Sequence, residues 1–284
     1  MKKPMDRKKQ IGFLRENCIF YLVGALVILG LKCYYRQADC DSLLWILAPT
    51  ARWVEFLSKI PFTYISGTGY VNHGLRMVIA PSCSGVRFLI ITFAMLVFSF
   101  VHAAASVRTA SGSEEFVLVS PDASRSVGTV TGFGILRLKA RGLGWIAASA
   151  FFSWIFTIFV NGLRIIIAVY LPMYLEKAGF MGGMLTQDRL HTMIGVAVYF
   201  AALLVLYRLV SGLTQGRTGR KTSFVHQCVP PVFWYFTLTL GLPFISRVYR
   251  GSAGGFAEFA VLVTGCCAMV LLPYIIVFFL RRQK

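Results

Sequence analysis

Cys83 stands in Pro81-Ser82-Cys83-Ser84-Gly85, directly ahead of an apolar run that begins at Val86 and is long enough to cross a bilayer. A thiol at the first turn of a membrane helix lies at the water boundary, where free backbone N–H groups and the helix dipole favour the thiolate. The plain alternative is a small residue packing at a helix end. Arg164 sits in an almost unbroken apolar stretch from Trp145 to Leu175. An arginine there is expensive unless it reaches water or a partner, which makes it a functional candidate; snorkelling at a helix boundary is its plain alternative. Asn161 precedes Arg164 by one helical turn and could hold the guanidinium in place. His191 opens another apolar run after the polar segment Thr186-Gln187-Asp188-Arg189-Leu190.

These types cover distinct catalytic needs. A cysteine attacks as thiolate. A histidine takes the thiol proton and returns it to a leaving amine. An arginine hydrogen-bonds the oxyanion of a tetrahedral intermediate or orients the carbonyl before attack. Arg87 competes with Arg164 for the cationic role, because four residues after Cys83 places it on the same face if the helix already includes the cysteine. Asn161, Arg87 and Ser84 are the supporting positions. No carboxylate is an obvious third, orienting member; Asp188 is near His191 in sequence but ahead of the helix start. Of the other histidines, His73 falls in the loop-like Gly69-Tyr-Val-Asn-His-Gly74, and His102 and His226 fall on the other side of the membrane from Cys83.

The elements that position these residues are membrane helices. The chain has 284 residues, 57% of them hydrophobic and 14% charged, with a mean hydropathy of +0.68, too apolar for an ordinary soluble domain. The formal net charge of +18 is concentrated between apolar runs rather than along one face. That pattern excludes nucleic-acid binding as the simplest reading; it fits the positive-inside bias of a polytopic protein, with attraction to anionic lipids. The seven cysteines have no metal-ligand spacing, so no metal or other cofactor is expected. Cys266 and Cys267 read as packing residues, and a disulfide between Cys33 and Cys40 is disfavoured.

Six segments read as crossing helices, at about 17–36, 84–103, 143–161, 190–211, 229–246 and 257–280. The first follows a basic N-terminus and resembles a signal peptide. No small-residue cleavage site follows, and Lys32-Cys33-Tyr34-Tyr35-Arg36 is bulky and basic, so an uncleaved span is expected. Two further apolar stretches are ambiguous. The 43–60 stretch contains Pro49, Arg52, Glu55 and Lys59, and 162–175 contains Pro172; either could be interfacial, re-entrant or a short span. The expected fold is therefore an all-α polytopic bundle of six to eight spans forming one integral membrane domain over 1–284, with no repeat. Lys and Arg cluster in the N-terminus, in a flexible loop at 104–142, after Tyr207 and in the tail, which places both termini in the cytoplasm. On that topology Cys83, Asn161, Arg164 and His191 all fall at helix ends on the outer face.

In Cys83-Ser84-Gly85 before a span, Asn161-Gly162-Leu163-Arg164 within an apolar stretch, and His191 opening a later span, the chain resembles the exosortase/archaeosortase family of membrane cysteine transpeptidases. Leu47-Ala-Pro-Thr-Ala51 and the spacing add to the likeness, which covers about residues 40–211 and is similar to the exosortase K branch. The C-terminal helices, 212–284, carry no family motif, and 104–142 looks like an insertion. The resemblance implies recognition of exported proteins bearing a C-terminal sorting motif, a transmembrane helix and a basic tail, and cleavage at the outer face of the cytoplasmic membrane, often with transfer to another acceptor. It implies Cys83 as nucleophile, Arg164 as transition-state stabiliser and His191 as general acid/base, with Asn161 supporting.

Two rivals differ in kind. A lipid-phosphate phosphatase would need a histidine directly after Pro-Ser-Gly and an arginine six residues before a histidine; here Val86 follows Gly85 and Arg189 is two residues before His191. A transporter or structural membrane subunit would explain the spans and an intramembrane Arg164, but not why Cys83 and His191 share its face.

Overall fold

The computed structural model describes residues 18–75, 77–100, 132–179, 186–215, 224–249 and 255–282. The basic N-terminus, His102, most of the 104–142 stretch, the basic segment 216–223 and the end of the tail lie outside the described residues, as does the side chain of His226. In chain order the elements are α1 (Cys18–Gln37), α2 (Leu44–Ser58), β1 (Thr63–Ile65), β2 (Gly69–Asn72), β3 (Met77–Ile79), a 3₁₀ turn (Pro81–Cys83) and α3 (Val86–Ser99). Then come α4 (Gly132–Lys177), α5 (Gln187–Gln215), α6 (Phe224–Phe236), a π turn (Thr237–Gly241), α7 (Leu242–Tyr249) and α8 (Phe256–Arg282). Six helical segments are long and apolar enough to cross a membrane: Cys18–Gln37, Pro81–Ser99, Leu143–Lys177, Gln187–Leu213, Gln227–Ser246 and Phe256–Pro273. The chain is a multi-pass helical membrane protein.

Helix α3 is the axis of the bundle. Apart from exposed Arg87 it carries no charge, and Val86 and Phe88 through Val97 are all buried, as expected of a helix enclosed by others. It packs against α1, α4, α5 and α6. Its outer neighbours are amphipathic in the membrane sense: α1 buries little beyond Phe20 and Gly24 and exposes Leu22, Leu26 and Leu29.

The two ambiguous stretches resolve differently. Residues 43–60 form α2, whose 15 residues reach about 22 Å, short of a ~30 Å hydrocarbon core. It buries Ile46, Leu47, Thr50, Ala51 and Val54 on one side and keeps Arg52 and Lys59 exposed on the other. Residues 162–175 are not a separate element. They continue 143–161 in α4, an uninterrupted helix of 46 residues that carries Pro172 near its end. Helix α4 also begins at Gly132, inside the stretch expected to be loop. Once Leu143–Lys177 is helical, each residue added to the end gains a hydrogen bond without a new nucleation step, so the glycines and charges of 132–142 do not stop it.

Between α2 and the 3₁₀ turn lies an element missing from the all-α expectation, a three-stranded antiparallel sheet of order β1-β2-β3. Thr63 pairs with Val71, and Val71 with Val78. Gly69, at φ +115°, lets β2 approach β3 closely: a Cβ there would lie 2.5 Å from the Ile79 carbonyl oxygen. The sheet is moored to the N-terminal side of α2 by Asp41, whose carboxylate accepts hydrogen bonds from Tyr64 and Ser66; that bond pushes the Tyr64 pKa up to about 12. One residue pair earlier, Asp39 accepts from the Ser42 N–H and hydroxyl, which lowers its pKa.

Candidate active site

Three segments far apart in sequence meet where β3 runs into α3. Ala80 is extended and Pro81 starts the 3₁₀ turn, so the Cys83 N–H donates to the Ala80 carbonyl (2.8 Å) and the Ser84 N–H to that of Pro81 (3.1 Å). Gly85 then takes φ +76° and helix α3 starts at Val86. Cys83 therefore belongs to a separate turn ahead of the helix, not to its first turn. The left-handed conformation is open to glycine at little cost. Space also demands glycine, since a Cβ would meet the Asn161 side chain and Thr157 Cγ2 at 3.0 Å. Ser84 is buried, and its hydroxyl accepts the Val86 N–H at 3.5 Å across the Gly85 turn.

Asn161 and Arg164 come from the interior of α4, one turn apart, rather than from a helix end. The Asn161 amide donates to the Cys83 carbonyl at 2.6 Å, which fixes the Cys83 turn against α4. Its Oδ1 accepts from the Tyr199 hydroxyl at 2.6 Å and from Arg164 Nη1 at 3.5 Å. The guanidinium carbon lies 5.5 Å from the Tyr199 ring centre, and that ring stacks on Phe88 at 4.5 Å. Arg164 is only 6% exposed, and Asn161 is fully buried.

His191, in the second turn of α5, is exposed and places Nε2 2.6 Å from Arg164 Nη2. A guanidinium only donates, so Nε2 is the acceptor in this contact. Both the His191 imidazole and the Arg164 guanidinium lie within electrostatic range of the half-buried Cys83 thiol. Gly195, one turn after His191, leaves the room in which Arg164 crosses to α5: a Cβ would stand 3.2 Å from Nε. The arrangement can deprotonate a thiol, hold a positive charge beside it and return a proton at the water-exposed edge. Among the described residues no three His, Cys, Asp or Glu side chains are grouped to hold a metal ion.

Cys83, Asn161, Arg164 and His191 thus converge. Arg87 does not join them through the shared helical face on which its candidacy rested. Gly85 breaks the helix between it and Cys83, the i to i+4 relation is lost, and Arg87 is exposed. Asp188 is exposed and offers its backbone carbonyl to Thr192 Oγ1 (2.9 Å). His73 lies in the turn between β2 and β3 and is exposed. The cysteines 33 and 40 are free, as are buried Cys266 and Cys267.

Sequence reasoning missed Tyr199 and Gly195, and took Gly85 only as part of the Cys83-Ser84-Gly85 motif. Tyr199 follows His191 by two helical turns on one face, the one signal that could have pointed to it. Comparison with protein-family models, with curated proteins and with solved structures found no match to this chain.

Proposed function

We propose that the chain is a membrane-embedded cysteine peptidase or transpeptidase that cleaves C-terminal sorting signals of exported proteins at the outer face of the cytoplasmic membrane. The observation that carries the reading is the convergence of Cys83, Arg164 and His191 from three separate elements, linked through the bonds from Asn161 to the Cys83 carbonyl and from Arg164 to Asn161 and His191. In this reading the His191 imidazole takes the thiol proton, and Cys83 Sγ attacks the scissile carbonyl carbon. Arg164 stabilises the oxyanion that forms. When the C–N bond breaks, the imidazolium gives its proton to the leaving amine, and the acyl group stays on Cys83 as a thioester. Water or an acceptor amine then displaces the thiol. Asn161 holds the nucleophile's backbone and the guanidinium in mutual register.

The partners are exported proteins with a C-terminal motif, a transmembrane helix and a basic tail, and the basic cytoplasmic segments of this chain attract anionic lipids. A transporter would account for a buried arginine but gives no role to the thiol beside His191. The test is co-expression with C-terminally anchored exported proteins of the same genome, read by immunoblot and mass spectrometry. Loss of the C-terminal helix with the wild-type chain, abolished by Cys83→Ala, is expected. Processing that survives Cys83→Ala would overturn the reading.

A further inference from the structure

The small sheet has two edges, and they are unequal. At the β1 edge, Tyr64 and neighbouring Ser66 are tied to Asp41. At the other edge, β3 pairs with no strand but β2 among the described residues. The strand is nevertheless held firmly. Ile79 is fully buried beside Leu43, Leu47 and Val86, and Met77 packs against the same cluster. Val78 points the opposite way and is exposed. Alternate residues of such a strand turn their N–H and C=O away from the paired side, leaving a template for another extended chain.

That template leads straight to the nucleophile. Ala80 prolongs the extended backbone at φ −90° and ψ 174°, and its carbonyl accepts the Cys83 N–H. Chain direction, anchoring and an unpaired edge therefore coincide within a few residues of the thiol.

We propose that the β3 edge is the substrate-docking site. The extended segment flanking the scissile bond adds as a fourth strand beside Met77–Ile79, and its carbonyl is thereby delivered to Cys83. The inference rests on the cysteine-peptidase reading above. Backbone pairing of this kind tolerates many sequences, and selectivity falls to the side chains that face Val78. Three residues of edge bind an isolated peptide weakly. A substrate whose own transmembrane helix lies in the same bilayer docks intramolecularly in effect, at a high local concentration, and needs no more.

The experiment uses the full chain in native membranes, in a Cys83→Ala background that traps uncleaved substrate, with the exposed thiols Cys18 and Cys33 changed to serine and Val78→Cys added. The probes are the genome's C-terminally anchored exported proteins, each with single cysteines scanned through the segment preceding its membrane helix. Wild-type processing is followed in parallel. Disulfide cross-links to Val78→Cys that are strong at every second substrate position are expected, the period of a paired strand. Cys83-dependent processing with cross-links that are absent, or equal at neighbouring positions, overturns the docking edge and leaves the peptidase reading standing. A cross-linked homodimer in place of a substrate adduct overturns it too, assigning the edge to a second copy of the chain. Absence of Cys83-dependent processing of every probe removes both.

Discussion

Tyr199 shows how the site is built from one residue outward. Its hydroxyl donates to Asn161 Oδ1, its ring lies under the Arg164 guanidinium, and its other contact is the Phe88 stack in the bundle core. It is a positioning residue. Tyr199→Phe keeps the ring and loses a hydrogen bond worth about 1 kcal/mol, so processing should slow by about fivefold to tenfold, in the rate of the chemical step rather than in substrate affinity. An equal loss in an Asn161→Ala background would show that the hydroxyl does not act through Asn161. Arg164→Lys should lose on the order of 10²-fold or more, because a point charge cannot reach Asn161 and His191 at once, whereas Arg87→Ala should process substrate at near wild-type rate. The reverse ranking would move the cationic role to Arg87. Arg164, with Asn161 a turn away, was legible because a charge is costly in apolar surroundings, and Cys83 and His191 because reactive types stand at the heads of apolar runs. Tyrosine is common in membrane helices, so nothing in its type set Tyr199 apart.

At the scale of elements, two glycines set how closely the pieces approach. Gly85 turns the chain out of the nucleophile's 3₁₀ turn and into α3. An alanine there meets a left-handed conformation costing about 1–2 kcal/mol and contacts with Asn161 and Thr157 at 3.0 Å. Gly85→Ala should lower the thermal midpoint in detergent, by about 2–4 °C for each kcal/mol lost, and reduce processing further through the displaced Asn161 amide. Gly162 lies against Trp53 of α2, so a methyl group there collides with the indole; Gly162→Ala should destabilise by about 1–3 kcal/mol. Unchanged midpoints would mean that α2 and α3 shift freely, contrary to their packing. The spans themselves were legible as apolar runs. The sheet was not, since three-residue and four-residue strands are too short for alternation to register. Nor was the reach of α4, because Pro172 and the glycines of 132–142 read locally as breaks, while a helix already propagating runs through them.

For the molecule as a whole, the expected outer-face site is open to a direct test. A membrane-impermeant thiol reagent added to intact cells should label Cys83 in a chain whose other exposed thiols are replaced, and labelling only after the cytoplasmic side is opened would invert the topology. The bond between the Asn161 amide and the Cys83 carbonyl joins residues 78 apart in the chain, and His191 comes later still. At a synthesis rate of about 5–20 residues per second, the thiol waits roughly 4–16 s in the membrane before α4 supplies its first partner, and longer before α5 brings the base. The arrangement of Cys83, Arg164 and His191 thus does not exist in the nascent chain. On the peptidase reading proposed above, a ribosome that stalls or terminates before α5 leaves behind an inert fragment, so the order of residues along the chain keeps an unfinished copy from cutting its neighbours.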